Sequence, residues 1–349
     1  MSIDYTTFSG LNKKKLDEIL FNIQKIKVAL IGDVCLDVYW RADMRKSELS
    51  RETPHFPLPV IEEWMSPGAG SNAASNIAAL KPSLVYILGV VGKDWRGEML
   101  LKELENRGID TSLIISSSCR VTNAYCKPLR KGISNLEYED PRIDFSNYTM
   151  LEKEDEDKLL GYLDEISKNV DVICVSDQFT YGCITKKIRD KLIQFGIEGK
   201  KVIVDSRDRI ALYNNVILKP NELEGYRAIY GKANFEKLSF DDYLYVAKAL
   251  AKKNTAKVCM TLGDKGSLFV EDATLEYIPS YEVKGPLDTC GAGDTFLSAF
   301  SCALAAGAKG YEAASFANIA ADVIIKKIGI TGTADPEEIR ARHGEISTQ

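Results

Sequence analysis

The chain has 349 residues and a formal net charge of −5. This length allows one large α/β unit or two average domains, and the negative charge argues against a general nucleic-acid binder, which needs a clustered basic excess. Only two histidines, His55 and His343, are present, so a multi-histidine metal site is excluded.

The amino terminus and the cysteines predict a cytoplasmic protein that does not interact with a membrane. Residues 1–10 are polar and lack the basic-then-apolar order of a secretory signal. The eight cysteines form no Cys-x-x-Cys pair, which indicates reduced thiols. The most apolar long stretch, 73–91, is interrupted by Asn76, Lys81 and Pro82, so it does not form a continuous apolar helix across a bilayer.

Apolar periodicity predicts an alternation of helices and strands along the chain. The apolar residues at 16, 19, 20 and 23 share one helical stripe. Short apolar runs predict buried strands, and helical patterns separate most of them. The predicted strands are 27–31, 84–91, 170–176, 201–205, 216–219, 257–262 and 275–283, and the clearest helices between them are 98–107 and 184–195. Such βαβ alternation predicts a mainly parallel sheet with ligands at the carboxyl ends of its strands.

Two segments interrupt the alternation. Residues 38–64 and 120–145 are rich in charged residues, proline and aromatics, and they are predicted to be extended. No linker rich in proline, glycine and serine divides the chain. We therefore predict a single catalytic domain over 1–349 with a discontinuous lid from about 38–64 and 120–145.

Polar residues follow several predicted strands. Asp33 and Asp37 come after the first strand, in a position either to accept hydrogen bonds from sugar hydroxyls or to remain as solvated loop acids. The segment 67–76 spells Gly-x-Gly-x-x-Ala, a weak dinucleotide fingerprint. We reject that interpretation because 62–67 is a poor candidate for a buried strand.

Three further segments each have a plain structural alternative. Asn221 and Glu224 follow the strand at 216–219, where Asn221 could simply cap a helix. Gly263 and Gly266 lie in a turn after Thr261, which could be an ordinary hairpin. Asn318 lies on an alanine-rich helix whose composition helix packing explains equally well.

The sequence Asp-Thr-Cys-Gly-Ala-Gly-Asp at 288–294 carries the most chemistry. Apolar residues recur at helical spacing from 295 onward, so Gly291, Ala292 and Gly293 would present backbone amides at a helix amino terminus. Such amides and the helix dipole bind anions, and Asp294 in the first turn could accept the proton of an attacking hydroxyl. In the alternative interpretation, Asp294 only complements the helix dipole.

With this motif and the earlier ones in order, residues 25–335 resemble the PfkB-type carbohydrate kinases, the ribokinase family. The resemblance implies a ribokinase-like three-layer α/β/α fold with a small β lid that often pairs two subunits, so we expect a homodimer through the lid. It implies ATP and Mg²⁺ as cofactors, and K⁺ as a further cation in many relatives.

The resemblance also assigns roles to the singled-out residues. Asp294 would be the catalytic base and the amides of Gly291, Ala292 and Gly293 the anion hole. The sugar-binding residues would be Asp33, Asp37, Gly68, Ala69, Asn72 and Arg142. The nucleotide-binding residues would be Asn221, Thr261, Gly263, Gly266 and Asn318. The metal-binding residues would be Glu224 and Asn221 for Mg²⁺ through water, and Asp288 for the monovalent cation.

Two departures from the family pattern bear on function. Ala69 replaces the second glycine of the usual pair, which should restrict the backbone torsions beneath the lid. No P-loop sequence is present, so the amides at 291–293 are the expected phosphate site.

Within the family, the start 32–40, the proline-rich segment 51–60 and the Arg-x-Asp-Phe at 142–145 are similar to the kinase half of the bacterial heptose-phosphate kinase/adenylyltransferases. The implied acceptor is D-glycero-D-manno-heptose 7-phosphate, phosphorylated at its anomeric hydroxyl. Cations in the lid segments could hold its phosphate, namely Arg45, Arg51, Lys127, Arg130 and Arg142. Residues resembling the adenylyltransferase half are not found, and 126–141 matches poorly.

Three alternatives remain open from the sequence. The acceptor could be another sugar or a nucleoside, of the ribose, fructose or adenosine type. The protein could be a non-catalytic sugar or nucleotide sensor with the same fold, which the intact 288–294 motif disfavours. A nicotinamide oxidoreductase rests on the weak glycine fingerprint alone.

Overall fold

The computed structural model describes residues 3–133, 136–231, 238–329 and 331–347. Residues 134 and 135 of the predicted lid therefore lie outside the described part. The described strands are β1 (Thr6–Thr7), β2 (Lys27–Gly32), β3 (Val34–Asp43), β4 (Val60–Ala69), β5 (Leu84–Gly92), β6 (Ile114–Ser117), β7 (Ala124–Lys131), β8 (Glu137–Glu139), β9 (Ile143–Phe145), β10 (Val172–Asp177), β11 (Val202–Ser206), β12 (Ile217–Leu218), β13 (Lys257–Thr261), β14 (Ser267–Glu271) and β15 (Thr274–Ile278).

Ten α-helices lie within the same ranges. They are α1 (Lys13–Ile23), α2 (Gly70–Ala79), α3 (Trp95–Glu105), α4 (Lys153–Ile166), α5 (Lys186–Ile197), α6 (Glu222–Tyr230), α7 (Phe240–Asn254), α8 (Ala292–Ala305), α9 (Gly310–Ile324) and α10 (Pro336–Ile346). None of these helices is long and apolar enough to cross a membrane.

Ten strands form the central sheet, in the order β1-β15-β14-β13-β12-β11-β10-β2-β5-β6. Its pairs are parallel except β13 with β14 and β14 with β15. Successive side chains of a strand point to opposite faces, and in β2 the residues Val28 and Leu30 enter one hydrophobic core while Ala29 and Ile31 enter the other. Helices α1, α2, α3, α8, α9 and α10 pack on the first face and α4 to α7 on the second, which confirms the predicted three-layer α/β/α fold.

The helix and strand predictions are confirmed in their main features. The stripe of Leu16, Ile19, Leu20 and Ile23 is the buried face of α1. The predicted strands up to 257–262 correspond to β2, β5, β10, β11, β12 and β13, with ends shifted by a residue or two.

The predicted strand 275–283 was too long, because β15 ends at Ile278. Ser267 is the first residue of β14 and lies opposite Ile278, so residues beyond 278 have no antiparallel partner. A loop therefore separates β15 from the 288–294 motif.

Five strands form a second, smaller sheet over the central one, and this sheet is the lid. Strand β3 pairs with β4 antiparallel and with β7 parallel, and β7 also pairs with β8 and β9. The lid strands β3 and β4 extend beyond the predicted 38–64, to Val34 and Ala69. The segment 62–67, which we judged a poor candidate for a buried strand, lies within β4, whose side chains up to Glu63 are exposed. This strand belongs to the lid.

Candidate active site

The amino terminus of α8 presents free backbone amides, as the 288–294 motif predicted. Gly291 is the N-cap residue with φ of 80°, a conformation that favours glycine. The amide of Ala292 donates to the carbonyl of Thr289 at 3.2 Å. Within the described residues, the amides of Gly291 and Gly293 donate to no protein acceptor, so two of the three predicted donors remain for a ligand.

Asp294 lies in the first turn of α8, beside these amides. Its Oδ2 accepts a hydrogen bond of 2.7 Å from Nδ2 of Asn72. Burial raises the pKa of the Asp294 carboxyl to about 6, against the lowering effect of the Asn72 bond. A carboxylate that titrates in this range is ionised near neutral pH and still basic enough to take a proton.

The two lid connections meet next to this carboxylate. The chain leaves β2 for the lid at Asp33 and returns from β4 into α2 at Ala69, and the amide of Gly70 donates to the Asp33 carbonyl at 2.9 Å. Ala69 has φ of 46° and ψ of −130°, a region that non-glycine residues rarely occupy. The return into α2 brings Asn72 to Asp294.

Asp37 is the predicted sugar-binding residue with an unused acceptor. It is 6% exposed, and its Oδ2 accepts a hydrogen bond of 2.9 Å from Nζ of Lys127. Its Oδ1 is buried with no hydrogen-bond partner among the described residues. Buried polar atoms are rarely left unpaired, so this oxygen is suited to a ligand hydroxyl. Gly68 leaves room for a ligand hydroxyl beside this oxygen, since a Cβ at position 68 would lie 2.6 Å from Oδ1 of Asp37.

Lys127 joins Asp37 to the aromatic residues of the lid. Its Nζ also donates to the hydroxyl of Tyr39 at 3.0 Å. Burial lowers the pKa of the Lys127 ammonium, but Asp37 and Tyr39 outweigh burial and leave that pKa above its ordinary value. Lys127 and Asp37 therefore remain a charged pair beside Oδ1 of Asp37, where the acceptor sugar is predicted to bind.

Asp33 differs from Asp37 in that its carboxylate is already satisfied. Its oxygens accept hydrogen bonds from the amides of Gln178, Phe179 and Cys183, at 2.8, 2.7 and 2.7 Å. Burial raises the pKa of the Asp33 carboxyl to about 6. The carboxylate organises the loop after β10, which reduces its capacity to bind a hydroxyl.

Two charged residues of the cleft were missed by the sequence interpretation. Asp205 in β11 and Lys219 after β12 are both buried, with Nζ of Lys219 3.3 Å from Oδ2 of Asp205. Burial raises the pKa of the Asp205 carboxyl despite Lys219. The available signal was a charged residue ending a predicted apolar strand, the same signal that drew attention to Asp33.

Asn221 and Glu224 begin α6 with a capping box. The Glu224 amide donates to Oδ1 of Asn221 at 2.8 Å, and the Asn221 amide donates to Oε2 of Glu224 at 2.9 Å. Burial and the charge of Asp205 raise the pKa of the Glu224 carboxyl. The structural alternative is thus realised, but among the described residues no hydrogen bond occupies Oε1 of Glu224.

The remaining predicted nucleotide residues lie around the hairpin between β13 and β14. Thr261 ends β13, and Gly263 and Gly266 form the turn with φ of 59° and 95°, so the hairpin alternative is realised. Asn318 is buried, and its Nδ2 donates to the Ile278 carbonyl at 3.3 Å. Its amide therefore stabilises the end of β15.

Arg142 and Asp288 both have partners within the protein. Arg142 lies over the Tyr125 ring and forms two hydrogen bonds with Asp144, at 2.6 and 2.8 Å. The oxygens of Asp288 accept from the amides of Cys290 and Gly329, each at 3.0 Å. Asp288 thereby ties the loop before α8 to the end of α9.

Sequence comparisons show which known proteins the chain resembles. A family model described as pfkB family carbohydrate kinase matches residues 27–337. The bifunctional protein HldE of Helicobacter pylori strain Shi470 is 29% identical over 324 residues, which are 90% of this chain and 65% of that protein. HldE of Geobacter metallireducens is 29% identical over 338 residues, 94% of this chain and 65% of that protein. The chain thus spans about two thirds of the length of these curated relatives.

Solved structures share the fold. Arabidopsis thaliana ribokinase complexed with ribose and ATP superimposes with a TM-score of 0.66 at 20% identity, covering 91% of this chain and 98% of that one. Escherichia coli phosphofructokinase-2 in complex with potassium gives a TM-score of 0.71 at 20% identity, covering 92% and 99%. The ribokinase-like fold class predicted from the sequence is confirmed.

Proposed function

The chain belongs to the pfkB family of carbohydrate kinases, and from this premise we propose that it transfers the γ-phosphoryl group of ATP to the anomeric hydroxyl of a heptose 7-phosphate. The protein is a sugar kinase, a phosphotransferase with an alcohol group as acceptor. The choice of acceptor rests on the similarity to HldE.

One observation carries the proposed chemistry. A carboxylate with a pKa raised by burial, Asp294, lies within one helical turn of two unused amides, those of Gly291 and Gly293. Oriented donors at a helix amino terminus stabilise phosphoryl oxygens. The adjacent carboxylate is then positioned to accept a proton from the attacking hydroxyl.

The transfer step follows from this placement. The acceptor hydroxyl gives its proton to Asp294 while its oxygen forms a bond to the γ-phosphorus. The bond from that phosphorus to the bridging oxygen of ATP breaks, and ADP leaves with the electron pair. Asn72 holds the carboxylate in place at 2.7 Å, and Asp37 receives a sugar hydroxyl at its free Oδ1.

The acidic residues near α6 suit a magnesium ion bound through water. No group of three or more histidine, cysteine or acidic residues that could form a metal site occurs among the described residues. Magnesium usually keeps several waters and needs only one or two carboxylates beside substrate phosphates, which Glu224 and Asp205 provide. A bound magnesium ion would supply positive charge that offsets the negative charge of the ATP phosphates.

The other nucleotide assignments remain part of the proposal. Thr261, Gly263 and Gly266 would border the ATP phosphates at the carboxyl end of β13, and Asn318 would support the adenine side of that cleft. Asp288 would contribute to a K⁺ site only by sharing oxygens that already hold two amides. A comparison of turnover in K⁺ and Na⁺ salts tests the latter directly.

We also propose a homodimer through the lid and a cytoplasmic location. The lid exposes apolar side chains on its outer strands, with Val60 and Ile61 on β4 and Ile143 on β9 each about half exposed. Exposed apolar side chains are suited to a partner surface. All eight cysteines are free, as expected in a reducing compartment. Light scattering at several concentrations tests the dimer, and a monomer throughout would refute it.

The experiment that tests the function measures ATP consumption with a panel of acceptors. The panel contains D-glycero-D-manno-heptose 7-phosphate, the unphosphorylated heptose, ribose, fructose, fructose 6-phosphate and adenosine. We expect the highest kcat/KM with the heptose 7-phosphate. A preference for another acceptor would replace the heptose assignment, and no turnover with any acceptor would count against the whole proposal.

A variant tests the role of Asp294. Asp294→Asn should lower kcat by about 10²- to 10⁴-fold, the usual cost of losing a general base, with ATP binding largely retained. Asp190→Asn serves as control, because Asp190 lies on α5 and, within the described residues, forms a surface ion pair with Lys186. Near-normal turnover in Asp294→Asn would remove the proposed mechanism.

A further inference from the structure

A cavity of about 340 Å³ lies beside the candidate active site, and none of the assignments above uses it. It opens at the carboxyl ends of β10 and β11, between the loops that follow them and the start of lid strand β7. Its lining combines polar side chains with aromatic rings, and it includes Asn123, Asn147, Gln178, Phe179, Arg207 and Asp208. The walls therefore offer a ligand both hydrogen-bonding groups and apolar surface.

Buried charges hold the loop 178–183 that forms one wall. Asp33 binds three amides of this loop, as described above. The buried Asp177 pairs with Arg209, which donates to the Phe179 carbonyl at 2.7 Å and to the Thr180 carbonyl at 3.3 Å. The loop is thus fixed through both its amides and its carbonyls, which preorganises the wall for binding.

The opposite wall is fixed in a similar way. Arg120 is buried and donates to the carbonyls of Tyr181 and Thr149. Asn147 binds both backbone groups of Val121, at 3.1 and 2.9 Å, and its Nδ2 also donates to Oδ1 of Asn123 at 3.2 Å. Polar groups of the cavity are consequently held in place before a ligand arrives.

Arg207 is the cation that this framework leaves unused. Its side chain is exposed, and among the residues that the structure describes its guanidinium forms no ion pair or hydrogen bond. Three of the four lid arginines proposed from the sequence differ in this respect, whereas Arg51, like Arg207, has no partner among the described residues. Each of the three has a carboxylate partner, in the pairs Arg45–Asp43, Arg130–Asp140 and Arg142–Asp144.

Tyr125 connects the cavity to the acceptor site. Tyr125 in β7 lies opposite Asp37 in β3. The Tyr125 ring packs edge-on against the ring of Phe179, which lines the cavity, with 6.3 Å between the two ring centres. Burial raises the pKa of the Tyr125 hydroxyl, and the charges of Arg142 and Arg207 oppose that rise. The Tyr125 hydroxyl is thus within electrostatic range of both guanidinium groups.

We propose that this cavity binds the phosphate group of a phosphorylated acceptor sugar, with Arg207 as its principal ligand. The inference rests on the proposed function. Strands β2, β10 and β11 are adjacent, so Arg207, at the carboxyl end of β11, lies two strands away from the end of β2, where the lid strand that carries Asp37 begins. Guanidinium is the usual partner of phosphate.

The nucleotide is the other source of a phosphate. Arg207 also borders a smaller cavity of about 110 Å³ together with Glu224, on the side proposed for magnesium. Kinetic measurements separate a phosphate of the nucleotide from a phosphate of the acceptor sugar. The substrates compared are ATP, D-glycero-D-manno-heptose 7-phosphate and the same heptose without phosphate.

The test compares Arg207→Gln with Arg207→Lys and with the control Arg340→Gln, an exposed arginine on α10 that pairs with Asp17. In Arg207→Gln we expect the KM for the heptose 7-phosphate to rise about 10- to 100-fold, the range for losing a charged hydrogen-bonding partner. The KM for ATP, kcat, and kcat/KM for the unphosphorylated heptose should stay within about 2-fold of the wild type. Arg207→Lys should recover part of the loss, and Arg340→Gln should behave as wild type.

Other outcomes overturn the inference. A rise in the KM for ATP without a change for the heptose 7-phosphate would assign Arg207 to the nucleotide. Equal losses with both forms of the heptose would give it a structural role. If the wild type prefers unphosphorylated sugars, the cavity assignment fails while the kinase function stands, whereas no turnover with any sugar refutes the proposed function itself. In that last case, a wild-type melting temperature raised by heptose 7-phosphate but not by heptose, and unchanged in Arg207→Gln, would still support the phosphate site.

Discussion

Replacing Ala69 with glycine should make the protein more stable, although glycine usually destabilises a folded chain. Ala69 joins lid strand β4 to α2 with φ of 46° and ψ of −130°. A non-glycine residue held in such a sparsely populated region costs about 1–3 kcal/mol. Glycine relieves this strain, but it also gives the unfolded chain more freedom, which costs about 0.4–1 kcal/mol. The net gain expected for Ala69→Gly therefore lies between about 0 and 2.6 kcal/mol, with a midpoint of about 1.3 kcal/mol.

The gain is measurable as a change in melting temperature. Unfolding entropy is about 2.1 cal/mol/K per residue, which gives about 0.7 kcal/mol/K for 349 residues. At the midpoint of the expected gain, Ala69→Gly should therefore raise Tm by about 2 °C in calorimetry. Ala78→Gly in α2 is the matched control, because Ala78 is also half-buried but has an ordinary helical φ; it should lose about 0.5–1 kcal/mol.

Ala69→Gly also tests whether the link between β4 and α2 acts as a hinge for the lid. Because glycine lets the lid sample more open conformations, the KM for the acceptor should rise by about 2- to 5-fold, as an added ordering cost of about 0.5–1 kcal/mol implies. If Ala69→Gly loses as much stability as Ala78→Gly, then Ala69 carries no strain and the reasoning is refuted. An unchanged acceptor KM with a raised Tm would refute only the effect on the hinge.

Further predictions concern the two carboxylates of the site. Since Asp294 must be ionised to accept a proton and burial raises its pKa to about 6, kcat should rise with pH through about pH 6 and then level off; a flat profile down to pH 5 would contradict this assignment. The folded-state pKa is about 2 units above the ordinary 3.8, so the stability that protonated Asp294 contributes should be lost as pH rises through about 6. As the pH rises from 3.8 to about 6, the free energy of unfolding of Asp294→Asn should accordingly rise relative to that of the wild type by up to about 3 kcal/mol, at about 1.4 kcal/mol per pH unit. Urea unfolding at several pH values measures this difference. Gly68→Ala should raise the acceptor KM about 10-fold or more while ATP binding persists, because its Cβ would lie 2.6 Å from Oδ1 of Asp37. The control is the lid substitution Gly132→Ala, whose Cβ would meet no described atom within 4 Å. It should leave initial rates unchanged.

Local sequence patterns were sufficient to predict many of the helices and strands, and the helix amino terminus at 291–294. The stripe of α1 and seven of the ten strands of the central sheet follow from apolar periodicity, which depends on residues a few positions apart; β1, β6 and β14 were not predicted. The extended lid segments were recognisable because charge, proline and aromatics interrupt that periodicity. The family resemblance extended these patterns to a fold and an activity, and the pfkB match supports both.

The fate of each polar side chain depended on contacts that no local pattern encodes. Asp33 and Asp37 look equivalent after the first strand, yet a loop 145 residues away satisfies Asp33, while Oδ1 of Asp37 has no hydrogen-bond partner among the described residues. Asn72 reaches Asp294 across 222 residues. Arg209 pairs with Asp177, whereas Arg207, two residues earlier, has no side-chain partner in the described part of the chain. Periodicity and helix capping involve neighbouring residues and are therefore written in the sequence itself, whereas pairing between distant charges is decided only when packing brings the strand ends to one edge of the sheet.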